Sequence, residues 1–395
     1  MAPLSDNELW MLQADQISAF NFVLAAHLRS TPSITSVQHA LKTISTLHPI
    51  LSAELEGDEA PSWRPSLRLP PLEINGEPWS KQFTAQLNQR FSQSGPALFR
   101  LRWLREGEGS VFMLTFHPVL GDGRFGLMVL DDFLRAVQGM PTSTHQGTHL
   151  QPRVGSHAPE TRGGAMPSAM NQGRHFPQST QSQLAQRRVM TFMGQTSGIV
   201  SQNWAGKARR QGSTINGILS ATHLQAVSNY MGEAGPLLLS MPIDLRFRLS
   251  PLDGPKTRSC LGDIRRTYWV DPADDPWVLA RRINADLSVI RQTGQSPFNA
   301  QTVGADVNEV YRDRASCAVS NLGRFAGFKH HEALGLESIF FGVGCSVLGD
   351  SILAAVGCAD RLSLTYCAMS PTLDLRSGLT IAQDSLARFK RAMNP

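Results

Sequence analysis

Between Ile34 and Leu47 the apolar positions Ile34, Val37, Ala40, Leu41, Ile44 and Leu47 recur every three or four residues, which predicts an amphipathic helix with one buried face. The same period predicts helices at 213–231, 276–291 and 379–393, the first capped by Ser213 or Thr214 and followed by Gly232. Near the start, Ser5 and Glu8 have the spacing of a capping box. Short apolar runs predict strands at 111–116, 188–192, 236–243, 317–321, 339–343, 351–356 and 362–368. Strands and helices alternate in both halves, as in α/β layers.

The pattern fades in the middle. From Pro141 to about Arg188 the chain is rich in Pro, Gly, Ser, Thr, Gln and His and poor in aliphatic residues. Such a stretch cannot bury enough apolar area to order itself. The chain is therefore expected to divide into residues 1–150, a flexible linker or crossover at 151–187, and residues 188–395. The histidines in or near this stretch (His145, His149, His157 and His175) have no metal-ligand spacing, so no metal site is expected.

An apolar content of 41% and a charged content of 17% suit a globular protein with large cores. No apolar run approaches the roughly 18 residues a membrane-spanning helix needs. The opening residues do not read as a signal peptide. The five cysteines form no Cys-x-x-Cys pair and read as reduced core residues, so a cytoplasmic location is expected. The net charge of +5 includes the pairs Arg209-Arg210, Arg265-Arg266 and Arg281-Arg282. These suit an anionic partner such as coenzyme A phosphates or an acidic carrier protein, or else solvated faces of helices and strands. The basic residues are scattered without interleaved aromatics, which argues against nucleic acid.

The candidate chemistry lies in Thr115-Phe116-His117-Pro118-Val119-Leu120-Gly121-Asp122-Gly123-Arg124. A buried strand leads in, Gly121, Gly123 and Gly126 suggest a tight turn, and a buried helix is expected over 127–137. His117 and Asp122 then sit on a loop at a strand end, where polar side chains are often displayed for function. The plainer reading is a strand–turn–helix with a packed histidine and a turn-stabilising aspartate.

Read in order with Leu4-Ser5-Asp6-Asn7-Glu8-Leu9-Trp10, His48-Pro49-Ile50-Leu51, Asp244-Leu245-Arg246-Phe247-Arg248 and Ser320-Asn321-Leu322-Gly323, the stretch resembles the chloramphenicol-acetyltransferase-like superfamily. That group includes condensation domains, alcohol acetyltransferases, BAHD acyltransferases and phthiocerol dimycocerosyl transferases. The resemblance implies two chloramphenicol-acetyltransferase-like subdomains forming a pseudo-dimer around a central tunnel, and a monomer is expected. It also implies an acyltransferase of natural-product or lipid metabolism, moving an acyl group from a coenzyme A or carrier-protein thioester to an alcohol or amine. No bound cofactor is expected.

The family motif His-His-x-x-x-Asp-Gly is degenerate here, because Pro118 stands where the catalytic histidine belongs. Proline has no proton to give and no lone pair to take one. His117 matches the motif's first, mainly structural histidine, and it is the remaining candidate for catalysis if a backbone change turns it into the tunnel. Asp122 matches an ion-pair partner. Ser52 replaces the arginine that condensation domains supply, so Arg246 is the expected partner, with Arg248 second. Gly123 is expected to supply a backbone conformation that other residues resist. Ser320 and Asn321 match a strand across the tunnel whose polar groups can bind a carbonyl or oxyanion, with a strand-end turn as the plainer alternative. Tyr366 and Ser363 are placed in the same cavity. Losing the base forfeits roughly 10²–10⁴-fold in rate. The alternatives are therefore a family member repurposed as a cyclase or pericyclase, and a non-catalytic binding protein.

Overall fold

The computed structural model describes residues 2–57, 61–75, 77–92, 98–142, 173–176, 186–196, 201–248, 258–293, 314–344 and 349–394. Helices α1 (Asp6–Ile17), α2 (Ile34–Leu47), α3 (Trp79–Asn88) and α4 (Gly123–Val137) belong to the first half. Helices α5 (Ser201–Arg210), α6 (Ile215–Tyr230), α7 (Pro276–Thr293) and α8 (Leu375–Met393) belong to the second. The capping box forms, with Glu8 accepting the Ser5 N–H at 2.8 Å and Ser5 accepting the Glu8 N–H at 3.3 Å. Thr214 caps α6 through the Gly217 N–H.

A small sheet joins β1 (Ala2–Pro3), β3 (Glu54–Glu56) and β4 (Ser62–Arg64). The first large sheet contains β2 (Phe22–Leu28), β5 (Leu72–Asn75), β6 (Phe99–Glu106) and β7 (Gly109–Phe116), and takes β12 (Leu336–Val343) as its outermost strand, in the order β12-β2-β7-β6-β5. The second contains β8 (Arg188–Gln195), β9 (Gly235–Asp244), β10 (Leu261–Val270), β11 (Ala315–Arg324), β13 (Gly349–Cys358) and β14 (Arg361–Ser370), in the order β10-β9-β11-β13-β14-β8.

Period-2 alternation decides which face of each strand meets what. Leu24, Ala26, Phe112 and Leu114 share a core with α2 and α4. Leu239, Val319, Leu353 and Leu364 share a second core with α6, α7 and α8. The intervening residues Val23, Ala25 and Met113 meet Ala318, Ile352 and Cys367 in a third core, where the two large sheets face each other.

The sheets interleave across the boundary expected between the halves. β12 leaves the second half and pairs antiparallel with β2, Phe340 opposite Ala25. Its Gly342 has no room for a side chain, since a Cβ there would lie 2.5 Å from the Phe83 ring. Asn88, at the end of α3, completes the edge of β8: its side-chain amide donates to Val189 O at 2.9 Å and accepts the Val189 N–H at 2.7 Å. Of the expected linker, residues 151–172 and 177–185 lie outside the described residues. Arg174 bridges to Leu237 of β9, and Arg187 donates to Asp350 at 2.7 Å in a fully buried ion pair that Arg314 joins at 2.8 Å. No helix among the described residues is long and apolar enough to cross a membrane.

Candidate functional site

The motif turn is built by three consecutive devices. β7 ends at Phe116, and the His117 N–H donates to Leu98 O at 2.9 Å. A single 3₁₀ turn follows over Pro118–Leu120, and its first position tolerates proline because that N–H has no intrahelical partner. Asp122 then caps α4, its Oδ1 accepting the N–H groups of Arg124 and Phe125 at 3.0 Å each. The helix starts at Gly123, four residues before the expected start at 127, so Gly123 and Gly126 lie inside it and the turn rests on Gly121 alone.

Asp122 is fully buried and carries four further contacts. Its Oδ2 lies 2.8 Å from Arg246 Nη1 and accepts the Cys260 N–H at 2.9 Å. Its Oδ1 accepts from Arg246 Nη2 at 3.0 Å, and its backbone N–H donates to Arg258 O at 3.0 Å. Arg246 thus grips the carboxylate with both ends of its fork, the strong bidentate form of such a pair. Burial alone would lower the Arg246 pKa, but Asp122 and Asp244 outweigh it and hold the group above its ordinary value.

His117 is buried beneath the turn's backbone contacts. Its Nδ1 accepts the Val119 N–H at 3.2 Å, so the ring proton sits on Nε2. Nε2 points toward Asp15 Oδ1 at 3.9 Å, too far for a hydrogen bond, and has no hydrogen-bond partner among the described residues. The rings of Phe20 and Phe91 enclose it edge-on. Burial pushes its pKa down to about 3. The ring's one lone pair is occupied and the ring is sealed, so this geometry makes His117 a cap of the turn and corrects its expected place as a relocated base.

Residues 183–370 match the family described as phthiocerol/phthiodiolone dimycocerosyl transferase, C-terminus. The structure superposes on polyketide synthase associated protein 5 from Mycobacterium tuberculosis with a TM-score of 0.71 and 17% identity, covering 99% of this chain and 97% of that one. The fold is that of the chloramphenicol-acetyltransferase-like superfamily. A trichothecene 15-O-acetyltransferase from Fusarium sporotrichioides matches at a TM-score of 0.71 and 12% identity, over 99% of this chain and 96% of that one. The first condensation domain of the calcium-dependent antibiotic synthetase matches at 0.73 and 11%, over 100% and 97%. No curated protein sequence matches the chain.

In this chloramphenicol-acetyltransferase-like pseudo-dimer the second sheet meets the motif through Leu322. A Cβ on Gly123 would lie 2.5 Å from Leu322 Cδ2, while the Gly123 backbone is ordinary helix. The requirement for glycine is therefore space, which corrects the expected backbone constraint. Two residues earlier, Ser320 is buried on the face of β11 that looks toward the first half. Asn321 points the other way and accepts the Gly323 N–H at 2.9 Å, with Gly323 at φ +71°: this is the strand-end turn. Tyr366 is also turned away. It sits in the core under α6 and α8, its ring 5.9 Å from that of His223, and the alternation along β14 puts Ser363 and Thr365 on the inner face instead. The substrate-binding assignments of Asn321 and Tyr366 are corrected accordingly.

Two supporting residues carried no sequence signal for this role. Arg258 is buried and donates to Val119 O at 3.2 Å and Leu120 O at 2.9 Å. Glu8 of the capping box balances it at 3.2 Å while also accepting from Trp63 Nε1 at 3.4 Å. Burial lowers the Arg258 pKa against the pull of Glu8. Arg248 is described only in its backbone, within the 3₁₀ turn Arg246–Arg248. Among the described residues no group of three or more His, Cys, Asp or Glu side chains can hold a metal ion.

Proposed function

We propose that the protein is an acyltransferase-type enzyme of polyketide or lipid metabolism that binds an acyl thioester between its halves and works by positioning rather than through a histidine base. The match of residues 183–370 to the dimycocerosyl transferase family supports the acyl-transfer class. The observation that carries the mechanistic part is the motif itself: the Asp122–Arg246 brace is complete, Pro118 replaces the base, and His117 has its lone pair committed to Val119. Holding the reactants in register can supply a rate factor comparable to or larger than the missing base. The acceptor must then be a good nucleophile at neutral pH, such as an amine or a thiol, or an alcohol that the substrate itself deprotonates.

Pro118 and the locked His117 also favour a second reading, in which the same seam folds a reactive chain for cyclisation without consuming a thioester. Acyl-coenzyme A donors tested with amine, thiol and alcohol acceptors separate the two. Thioester consumption that persists in His117→Gln and is faster with amines or thiols than with alcohols supports base-free acyl transfer. No consumption by the wild type, with conversion of a non-thioester polyene, supports cyclisation. Collapse of turnover in a folded His117→Gln would restore His117 as the base and overturn the mechanism.

A further inference from the structure

Helix α7 turns two unlike faces to its surroundings. Trp277, Leu279, Ala280, Ile283 and Leu287 are buried in the second core. The opposite side carries Val278, Arg281, Arg282, Ala285 and Val289, whose spacing places them on a single stripe of the helix. All five are exposed, Val278 to 49% and Val289 to 55%. The end of α5 continues the patch. Arg281 Nη1 reaches Gln211 O at 3.5 Å and its chain lies against Gly212, which brings the exposed Arg209 and Arg210 alongside. Among the described residues no carboxylate forms an ion pair with any of these four arginines. The one acid within the span of the stripe, Asp286, lies on its flank and is taken by the Tyr268 hydroxyl at 2.8 Å and by Arg266 at 3.0 Å. Asp274 and Asp275 precede the helix, and Asp275 accepts the Trp277 N–H at 3.1 Å. A helix face kept for water carries polar residues of both signs, whereas this one carries only valine, alanine and arginine.

From this face we propose that α7 and the end of α5 dock the protein on an anionic lipid surface. Such a surface offers both things the stripe lacks, phosphate charge for the arginines and an interfacial layer apolar enough for the valines. Val278 and Val289 stand about 16 Å apart along the helix, so both reach one flat surface while Arg281 and Arg282 between them extend toward the headgroups. An acidic protein segment or a nucleic acid would engage the arginines and leave the valines in water. A single free phosphate would use neither the valines nor the length of the stripe. Because α7 is held by its buried face, docking leaves the second core as it is. Each arginine brought near an anionic bilayer adds about fivefold to binding, and salt weakens the attraction. The inference is independent of the acyl-thioester reading.

The test is co-sedimentation of the full chain with vesicles of phosphatidylcholine alone and of equal parts phosphatidylcholine and phosphatidylglycerol. The wild type is expected to sediment with the anionic vesicles and to stay in solution with the neutral ones. Arg281→Glu/Arg282→Glu should bind the anionic vesicles more weakly by a factor of about ten or more. Val278→Ser/Val289→Ser should lose several-fold, because two apolar side chains no longer leave water. Lys42→Glu/Lys329→Glu makes the same change in net charge at exposed positions on other elements and should bind like the wild type. All substituted side chains are exposed, so unfolding temperatures should match the wild type and any loss of binding reports on the surface. No sedimentation with anionic vesicles, equal sedimentation with neutral ones, or an equal loss in the lysine control would overturn the proposal. Full binding by the valine variant, or release of the wild type from vesicles by polyglutamate, would reassign the face to an acidic macromolecule and overturn it as well.

Discussion

Arg246 holds Asp122 with both guanidinium nitrogens, at 2.8 and 3.0 Å, across 124 residues of chain. The aspartate simultaneously caps α4, so a single carboxylate joins the motif turn, the helix behind it and the segment after β9. Removing one partner of a buried pair costs about 3–5 kcal/mol when the other charge is left uncompensated, but Arg246 keeps Asp244 at 3.1 Å, so the loss of the pair itself belongs at the lower end. Asp122→Ala, which also loses the cap of α4, is expected to destabilise by about 3 kcal/mol or more in urea unfolding. Asp122→Asn keeps a capping side chain and should lose less.

Gly123 and Leu322 form the contact between the motif and β11. Gly123→Ala puts a methyl group against the end of the Leu322 side chain, which can move, so the cost is expected at the low end of the about 1–3 kcal/mol of overpacking. The double variant Gly123→Ala/Leu322→Ala should show a smaller loss than the sum of the two single losses. Additive losses would mean that the clash is not what glycine avoids here.

Arg258 and Glu8 brace the 3₁₀ turn from α1. Each of Arg258→Met and Glu8→Gln leaves a buried partner uncompensated, so each should destabilise by about 3 kcal/mol. Because they share one interaction, the double-mutant cycle should give a coupling energy of about 1 kcal/mol or more.

Burial holds three histidines neutral: the pKa of His117 is pushed to about 3, and those of His27 and His223 to about 4. Their ordinary value is near 6.5 in the unfolded chain. Below that pH the unfolded state takes up protons that the native state refuses, so stability is fully present above about pH 6.5 and falls as the pH drops toward 4. The slope approaches about 1.4 kcal/mol per pH unit for each histidine once the unfolded ring is protonated, so each contributes about 1.6 kcal/mol between pH 6.5 and 5. Urea midpoints measured across this interval check the sum. Replacing His223 with Gln should flatten the slope by one histidine's share.

The helices and strands that carry strong periodicity were legible from the chain alone, and so was the pairing of Asp122 with an arginine once the ordered motifs suggested the fold. The missing base at Pro118 is likewise a fact of sequence. What one-dimensional pattern leaves open is direction. Ser320 and Asn321 are neighbours in sequence, yet strand alternation turns one to the seam and the other to a turn, and it separates Thr365 from Tyr366 in the same way. The tautomer and enclosure of His117 depend on Val119, Phe20 and Phe91, which come together only in the folded chain. Arg258 lies 250 residues from Glu8, with no local period to announce it. β12 reads as an ordinary strand of the second half, but it pairs with β2 in the first, because strand propensity specifies extended backbone and only tertiary packing chooses the partner.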